Sequence, residues 1–233
     1  MRVKTQARRE GIISAAWEIF RRDGYGRTTM SAIAARLGGS KGTLYSYFAS
    51  KDELLLATVD HVLAERGQAA FARLESPHLL SQRLEKFAHD YITLRSHPDT
   101  IALDRILIAE AGRSNIGQAM QDRLLLPQWR RFAEFLREQA ENGHLTFEDA
   151  EEAASDFRAL LTAPLLEHCL YSDRLPDATE TATLAARSVR TFMRAYAPQS
   201  SGDNRSAPAR NPRDRLNHPA SQRSCRTNGR RRE

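Results

Sequence analysis

Cysteine is nearly absent from these 233 residues. Cys169 and Cys225 are too few for a disulfide framework and stand in no CxxC or His-rich spacing, so they read as a small buried hydrophobe and a tail thiol. A reduced, cytoplasmic setting is the expectation. No run of roughly 18 apolar residues occurs, and the N-terminus MRVKTQARRE lacks the apolar segment of a secretory signal, so no membrane is expected among the partners. The seven histidines form no H-x-x-x-H or H-E-x-x-H pair, which argues against a metal site. No G-x-S-x-G, P-loop or dinucleotide fingerprint is present, nor any convergent nucleophile–base or acid–base set. The expectation is a protein without cofactor, metal or catalytic residues. Alternating β-branched runs are missing too, which removes confident strands.

The charge that is present is unevenly distributed. Residues 1–51 carry ten Lys/Arg against three acids, a balance of +7; residues 52–196 balance at −7, and residues 197–233 at +6. A basic head on an acidic body points to a polyanion partner for the head alone. Charge by itself does not separate that reading from an ordinary solvated surface.

Glycine and proline are sparse before residue 198, and apolar residues recur at three- and four-residue spacing, so almost every segment reads as helix. A first helix from Thr5 to Asp23 carries the stripe Ile12, Ile13, Ala16, Ile19 and Phe20, with Gly24 as its left-handed cap. A second starts after Thr28 or Thr29 and turns Ile33, Ala34 and Leu37 inward, until Gly38-Gly39 breaks it. Ser40 caps a third over Lys41 to Phe48. Ser50-Lys51-Asp52-Glu53 has the form of a capping box and opens a long fourth helix to about Leu74. Further helices are expected over 78–96, 99–111, 116–142, 147–171 and 177–196. The remainder, rich in Arg, Ser, Asn and Pro, is expected to be disordered. The division that follows is a helix-turn-helix head over 1–51, a connecting helix over 52–75, a helical body over 76–197 and an Arg-rich tail over 198–233.

Three short helices with a glycine-broken turn between the second and third describe a helix-turn-helix. On the third helix Leu44 and Phe48 share one side, and Gly42, Thr43 and Ser46 face the other way. Lys41 and Tyr45 border one edge, and Tyr47 the other. Small side chains allow close approach to base edges, while Lys and Tyr at the margins reach bases or phosphates. Taken alone, this face is equally compatible with a solvated connecting helix.

The stretch from about Ala7 to Val62 resembles the TetR family of bacterial repressors. The residues that carry the likeness are Gly24-Tyr25, Thr28-Thr29-Met30, Ile33-Ala34, Ser40 through Phe48, and Lys51-Asp52-Glu53-Leu54-Leu55. The resemblance implies that Lys41, Gly42, Tyr45 and Ser46 read bases of double-stranded DNA. It implies that Thr29, Thr43, Tyr47 and Lys51 hold the phosphate backbone, and Thr29 and Lys51 also open helices, where free N–H groups favour a phosphate. Gly39 departs from the pattern, standing where the family usually has a branched apolar residue. That departure is expected to loosen the packing of the third helix slightly and to bear on specificity.

The same resemblance implies an all-α fold whose body senses a small-molecule effector and forms a homodimer. Leu160, Leu161, Ala163, Leu165 and Leu166, followed by Ala182, Leu184, Ala185, Val189, Phe192 and Met193, have the spacing of a helix pair that makes a four-helix interface, or simply of that body's own core. Arg105 to Glu110 with Gly143-His144-Leu145 is similar to AefR-like members. A ligand pocket is expected among Phe87, Tyr91, Leu94, Ile106, Trp129, Phe132, Phe135 and Phe157, with His89, Arg105 or His168 as polar anchors. For each of these a plain core role is the competing reading. An architectural DNA binder without a sensory pocket is the alternative function.

Overall fold

Helix caps fix most of the element boundaries. The structure, a computed structural model, describes residues 5–172 and 174–198. The tail expected over 198–233 lies, beyond Pro198, outside them. Ten α-helices are present among the described residues: α1 Gln6–Asp23, α2 Met30–Arg36, α3 Lys41–Tyr47, α4 Lys51–Ala72, α5 Leu80–Arg95, α6 Pro98–Glu110, α7 Ile116–Met120, α8 Leu126–Glu141, α9 Ala150–Tyr171 and α10 Ala178–Tyr196. The side chains of Thr5, Thr29, Ser40, Ser50 and Asp177 each accept an N–H two or three residues into the helix that follows. At α10 Glu180 reciprocates to the Asp177 N–H and completes a capping box. At α4 the returning carboxylate of Glu53 instead accepts from the Ala49 N–H at 2.7 Å, one residue earlier than the capping-box pattern.

The single helix expected over 116–142 is divided. A π-helical turn, Gln121–Leu125, separates α7 from α8. Pro127 has no N–H to return to a carbonyl in the preceding turn, so an undisturbed α-helical ladder cannot run through this point.

Two apolar clusters organise the chain. The first joins α1, α2 and α3 to the start of α4, through Trp17, Phe20, Ile33, Leu44, Phe48, Leu54, Leu55 and Val59, and it extends to Leu103 and Leu107 on α6 and Ile116 on α7. The second fills the body with Phe71, Phe87, Tyr91, Trp129, Phe132, Phe135, Phe157 and Phe192. Leu63 on α4 packs against both. A displacement of α4 therefore cannot leave either cluster untouched.

Pro164 lies inside α9 and cannot donate to the carbonyl of Leu160. Ser188 on α10 supplies the missing donor, its hydroxyl reaching the Leu160 oxygen at 3.0 Å. Ser188 is itself buried. Ser188→Ala is expected to leave that carbonyl orphaned and to destabilise the fold by about 1–3 kcal/mol. Urea unfolding at fixed protein concentration measures this, and the same substitution in a Pro164→Ala background should cost much less because the helical bond is restored.

Candidate DNA-binding head and effector cleft

The turn before α3 is shaped by Gly38, whose φ of 61° lies in the left-handed region that L side chains rarely adopt. Leu44 and Phe48 are 2% and 1% exposed and anchor α3 on the head's core. The opposite face presents Lys41, Gly42, Tyr45 and Ser46 to solvent, with Thr43 and Tyr47 half-buried at its margins. The Lys41 ammonium stands 5.6 Å from the centre of the Tyr45 ring. The Thr43 and Ser40 hydroxyls are 2.9 Å apart, and Ser46 donates to the Thr43 carbonyl at 2.7 Å. These hydroxyls have internal partners yet keep acceptor capacity toward solvent. The Tyr47 hydroxyl accepts from the Thr5 N–H at 3.3 Å, tying the end of α3 to the start of α1.

The residues expected on the phosphate side are differently engaged. Thr29 is exposed, and its hydroxyl accepts from the Ala32 N–H at 3.1 Å as the cap of α2. Lys51 is half-buried, and its ammonium donates to the carbonyls of Tyr25 at 2.8 Å and Thr28 at 3.0 Å while lying 4.0 Å from the Tyr25 ring centre. It braces the turn that delivers Thr29 to the start of α2. The Tyr25 hydroxyl donates to Asp52, and burial together with that carboxylate pushes the Tyr25 phenol well above its ordinary range.

In the body the expected pocket residues part company. Tyr91, Leu94 and Trp129 line a cleft of about 190 Å³ bounded by α4, α5, α7, the π-turn and α8. Phe87, Phe132 and Phe157 are fully buried in a ring stack, Phe132 lying 5.0 Å from Phe87 and 5.3 Å from Phe157 between ring centres. Phe135 packs beside Phe132, at 6.0 Å. Ile106 lines a separate cleft between α6 and the α1–α2 turn. The three expected anchors are elsewhere as well. His89 is exposed beside Asp90, and His168 lines a cleft between α9 and α10. Arg105 donates to the carbonyls of Cys169, Leu170 and Ser172 at 3.0–3.2 Å, closing the C-terminal end of α9.

Asp60, Arg123 and Gln128 line the cleft from exposed positions, and its half-buried charged group is Arg95. Its guanidinium bonds Asp104 at 2.6 Å, with side chains only 16% and 11% exposed. Burial pushes the Asp104 carboxyl above its ordinary range against the pull of Arg95. The spacing of Arg95 and Asp104, on different helices, gave no sequence signal for this pair. Among the described residues no group of three or more His, Cys, Asp or Glu is placed to hold a metal ion, and no helix is long and apolar enough to cross a membrane.

A three-helix head with a small-residue recognition face, carried on an all-α body, defines a helix-turn-helix transcriptional regulator. Residues 12–58 match the bacterial regulatory proteins of the tetR family, and residues 82–198 match the C-terminal domain of AefR-like transcriptional repressors. The chain belongs to the TetR family. It is 36% identical over 84 residues to the HTH-type transcriptional regulator HbdR of Aromatoleum sp. (strain CIB), covering 36% of this chain and 35% of that protein. The chain thus spans about a third of the length of the first curated relatives it matches. A TetR-family transcriptional regulator from Mesorhizobium loti MAFF303099 superposes with a TM-score of 0.73 at 25% identity, over 84% of this chain and 100% of the other. The flavonoid-responsive regulator FrrA does so with a TM-score of 0.67 at 30% identity, over the same shares.

Proposed function

We propose that the protein is a dimeric repressor that a small aromatic molecule releases from a palindromic operator. Lys41, Gly42, Tyr45 and Ser46 read bases, and Thr29, Thr43 and Tyr47 contact the phosphate backbone. Lys51 serves the backbone contact from behind, through the turn it braces. The α3 face carries the base-reading assignment, since its outward side chains are small or hydrogen-bonding and Tyr45 stands 44% exposed.

The groove along α9 and α10, lined by Leu160, Ala163, Pro164, Thr191 and Ala195 among others, supports a second copy as the partner in an isologous four-helix contact. Leu161, Leu165, Leu184, Ala185, Val189 and Phe192, from the same stripes, are buried in the chain's own core. In the dimer the two α3 helices must lie roughly 34–36 Å apart, or a multiple of it, to enter successive major grooves.

The cleft supports an effector over the pocket-free architectural alternative. Phe71, Tyr91 and Trp129 suit a flat aromatic body, and Arg95 suits an acceptor oxygen on it. Leu63 and Met120 line the cleft and also pack against the head's cluster, so an occupant that prefers a shifted α4 weakens operator binding by that preference.

The test is footprinting on DNA flanking the protein's own gene, followed by titration with and without candidate aromatic ligands. Tyr45→Ala is expected to cost about 1–3 kcal/mol on the footprinted site and much less on a mixed-sequence duplex. Equal losses on both duplexes overturn the base-reading assignment. A ligand that binds the body but leaves operator affinity unchanged overturns the release mechanism.

A further inference from the structure

Gly38 and Gly39 stand side by side in the helix-turn-helix turn, but only Gly38 needs to be glycine for its backbone, with a φ of +61°. Gly39 lies outside the left-handed region, and its N–H completes a 3.1 Å bond to the Ala34 carbonyl that any residue but proline could make. What its missing side chain leaves is space. A Cβ built at Gly39 would meet one group within 4 Å, a terminal guanidinium nitrogen of Arg8 at 3.4 Å. Arg8 comes from the first turn of α1, far away in sequence, and is exposed.

Most other described cations of the head are engaged, Arg36 at the end of α2 being an exception. Arg21 is paired with Glu18 and Arg22 with Asp23, Arg27 donates to the Asp23 carbonyl, Lys51 holds two carbonyls, and Arg9 lies over the Phe48 ring at 5.2 Å. The Arg8 guanidinium has no hydrogen-bond or ion-pair partner among the described residues, although its backbone N–H bonds the Thr5 hydroxyl at 3.3 Å. An uncommitted guanidinium is thus held against the turn that immediately precedes α3.

We propose that Arg8 is a DNA-backbone contact, and that Gly39 is what lets it reach the DNA. This rests on the head being the DNA-binding surface. The guanidinium crosses the turn where a branched side chain would stand, and it meets a phosphate flanking the groove that α3 enters. An N–H fork on a phosphate, with release of a condensed counterion, supplies affinity without sequence information. The glycine at position 39 therefore exchanges packing in the turn for a phosphate contact drawn from another helix.

The experiment measures binding to a short mixed-sequence duplex and to the footprinted operator over a series of salt concentrations. It uses the wild type, Arg8→Ala, Arg8→Lys, Gly39→Val and the double variant Arg8→Ala/Gly39→Val, with thermal melts as the folding check. Arg8→Ala is expected to weaken both duplexes alike, by about three- to tenfold at low salt, and to flatten the salt slope by about one unit. Arg8→Lys should restore the slope, because the charge returns. Gly39→Val should reproduce the Arg8→Ala loss, and in its background Arg8→Ala should change little. If the valine variant melts early, Gly39→Leu takes its place, read by the same coupling to Arg8→Ala. A Cβ alone makes only ordinary contact with the guanidinium at 3.4 Å, so the obstruction has to come from atoms beyond it. Unchanged affinity and slope in Arg8→Ala, with wild-type binding intact, overturns the proposal, as do losses from the Arg8 and Gly39 substitutions that simply add. Failure of the wild type to bind either duplex would instead overturn the DNA-binding reading of the head.

Discussion

Asp104→Ala is expected to destabilise the protein by about 3–5 kcal/mol, because it strands the Arg95 charge in a site where it has little access to water. The pair spans α5 and α6 at 2.6 Å, with 16% and 11% of the two side chains exposed, so solvent offers weak compensation for either charge. Replacing both residues together, as Arg95→Met with Asp104→Leu, should recover most of that loss, since well-packed apolar groups of similar size remove the desolvation cost along with the attraction. Guanidinium unfolding at a fixed protein concentration measures both variants, the fixed concentration being needed because the stability of a chain that dimerises, as proposed, depends on it. A loss below about 1 kcal/mol for Asp104→Ala would mean that Arg95 finds water or another acceptor at once, and that the pair does little to hold α5 against α6. The double variant carries a second reading. It keeps the fold but removes the cleft's interior guanidinium, so an effector that uses an acceptor oxygen on Arg95 should bind it less well, whereas a purely apolar one should not.

Phe132→Ala is expected to cost a comparable 3–5 kcal/mol, for a different reason. Phe132 is fully buried, its ring parallel to Phe157 within 3° and 5.2 Å from Trp129 between ring centres. Truncation removes the transfer energy of the ring and leaves a void lined by Phe87, Trp129, Phe135 and Phe157, which are held by their own neighbours and cannot all collapse inward. Phe132→Leu should cost considerably less, since part of the volume stays filled. Tryptophan fluorescence follows the unfolding, with Trp17→Phe as the common background so that Trp129 alone reports. Because the ring stack lies behind the Tyr91 and Trp129 wall of the cleft, the alanine variant should also accept bulkier aromatic ligands than the wild type. A small effect on stability would show that the body repacks around the missing ring, and would weaken the case for a preformed cleft wall.

Much of the head was legible in the sequence because its determinants are local. Ser40, Ser50, Thr29 and Gly38 act within a few residues of themselves, through caps and a left-handed turn, and α3 is so short that its two faces follow from the helical period alone. The overall all-α character followed equally from three- and four-residue spacing. The helix expected over 116–142 was divided because the cost of Pro127 falls on the preceding turn, where a run of apolar residues signals only helix.

The body was a different matter. Phe87, Tyr91, Trp129, Phe132 and Phe157 all occupy apolar stripes that look alike in one dimension. Which of them face a cleft and which close into a stack depends on what the neighbouring helices bring opposite. The same holds for charged groups, which are assigned by geometry across long separations. Lys51 reaches carbonyls 23 and 26 residues away, Arg105 reaches the end of α9 at a separation of 64 to 67, and Arg95 finds its carboxylate on the next helix. Sequence by itself determined most of the elements, the caps of the head and the face presented by α3, since these are decided by residues within one helical turn. The tertiary structure alone decided the cleft, the Arg95–Asp104 pair, the Ser188 donor to Leu160 and the crossing of Arg8 over Gly39, since each of these depends on the packing of helices that the chain brings together from a distance.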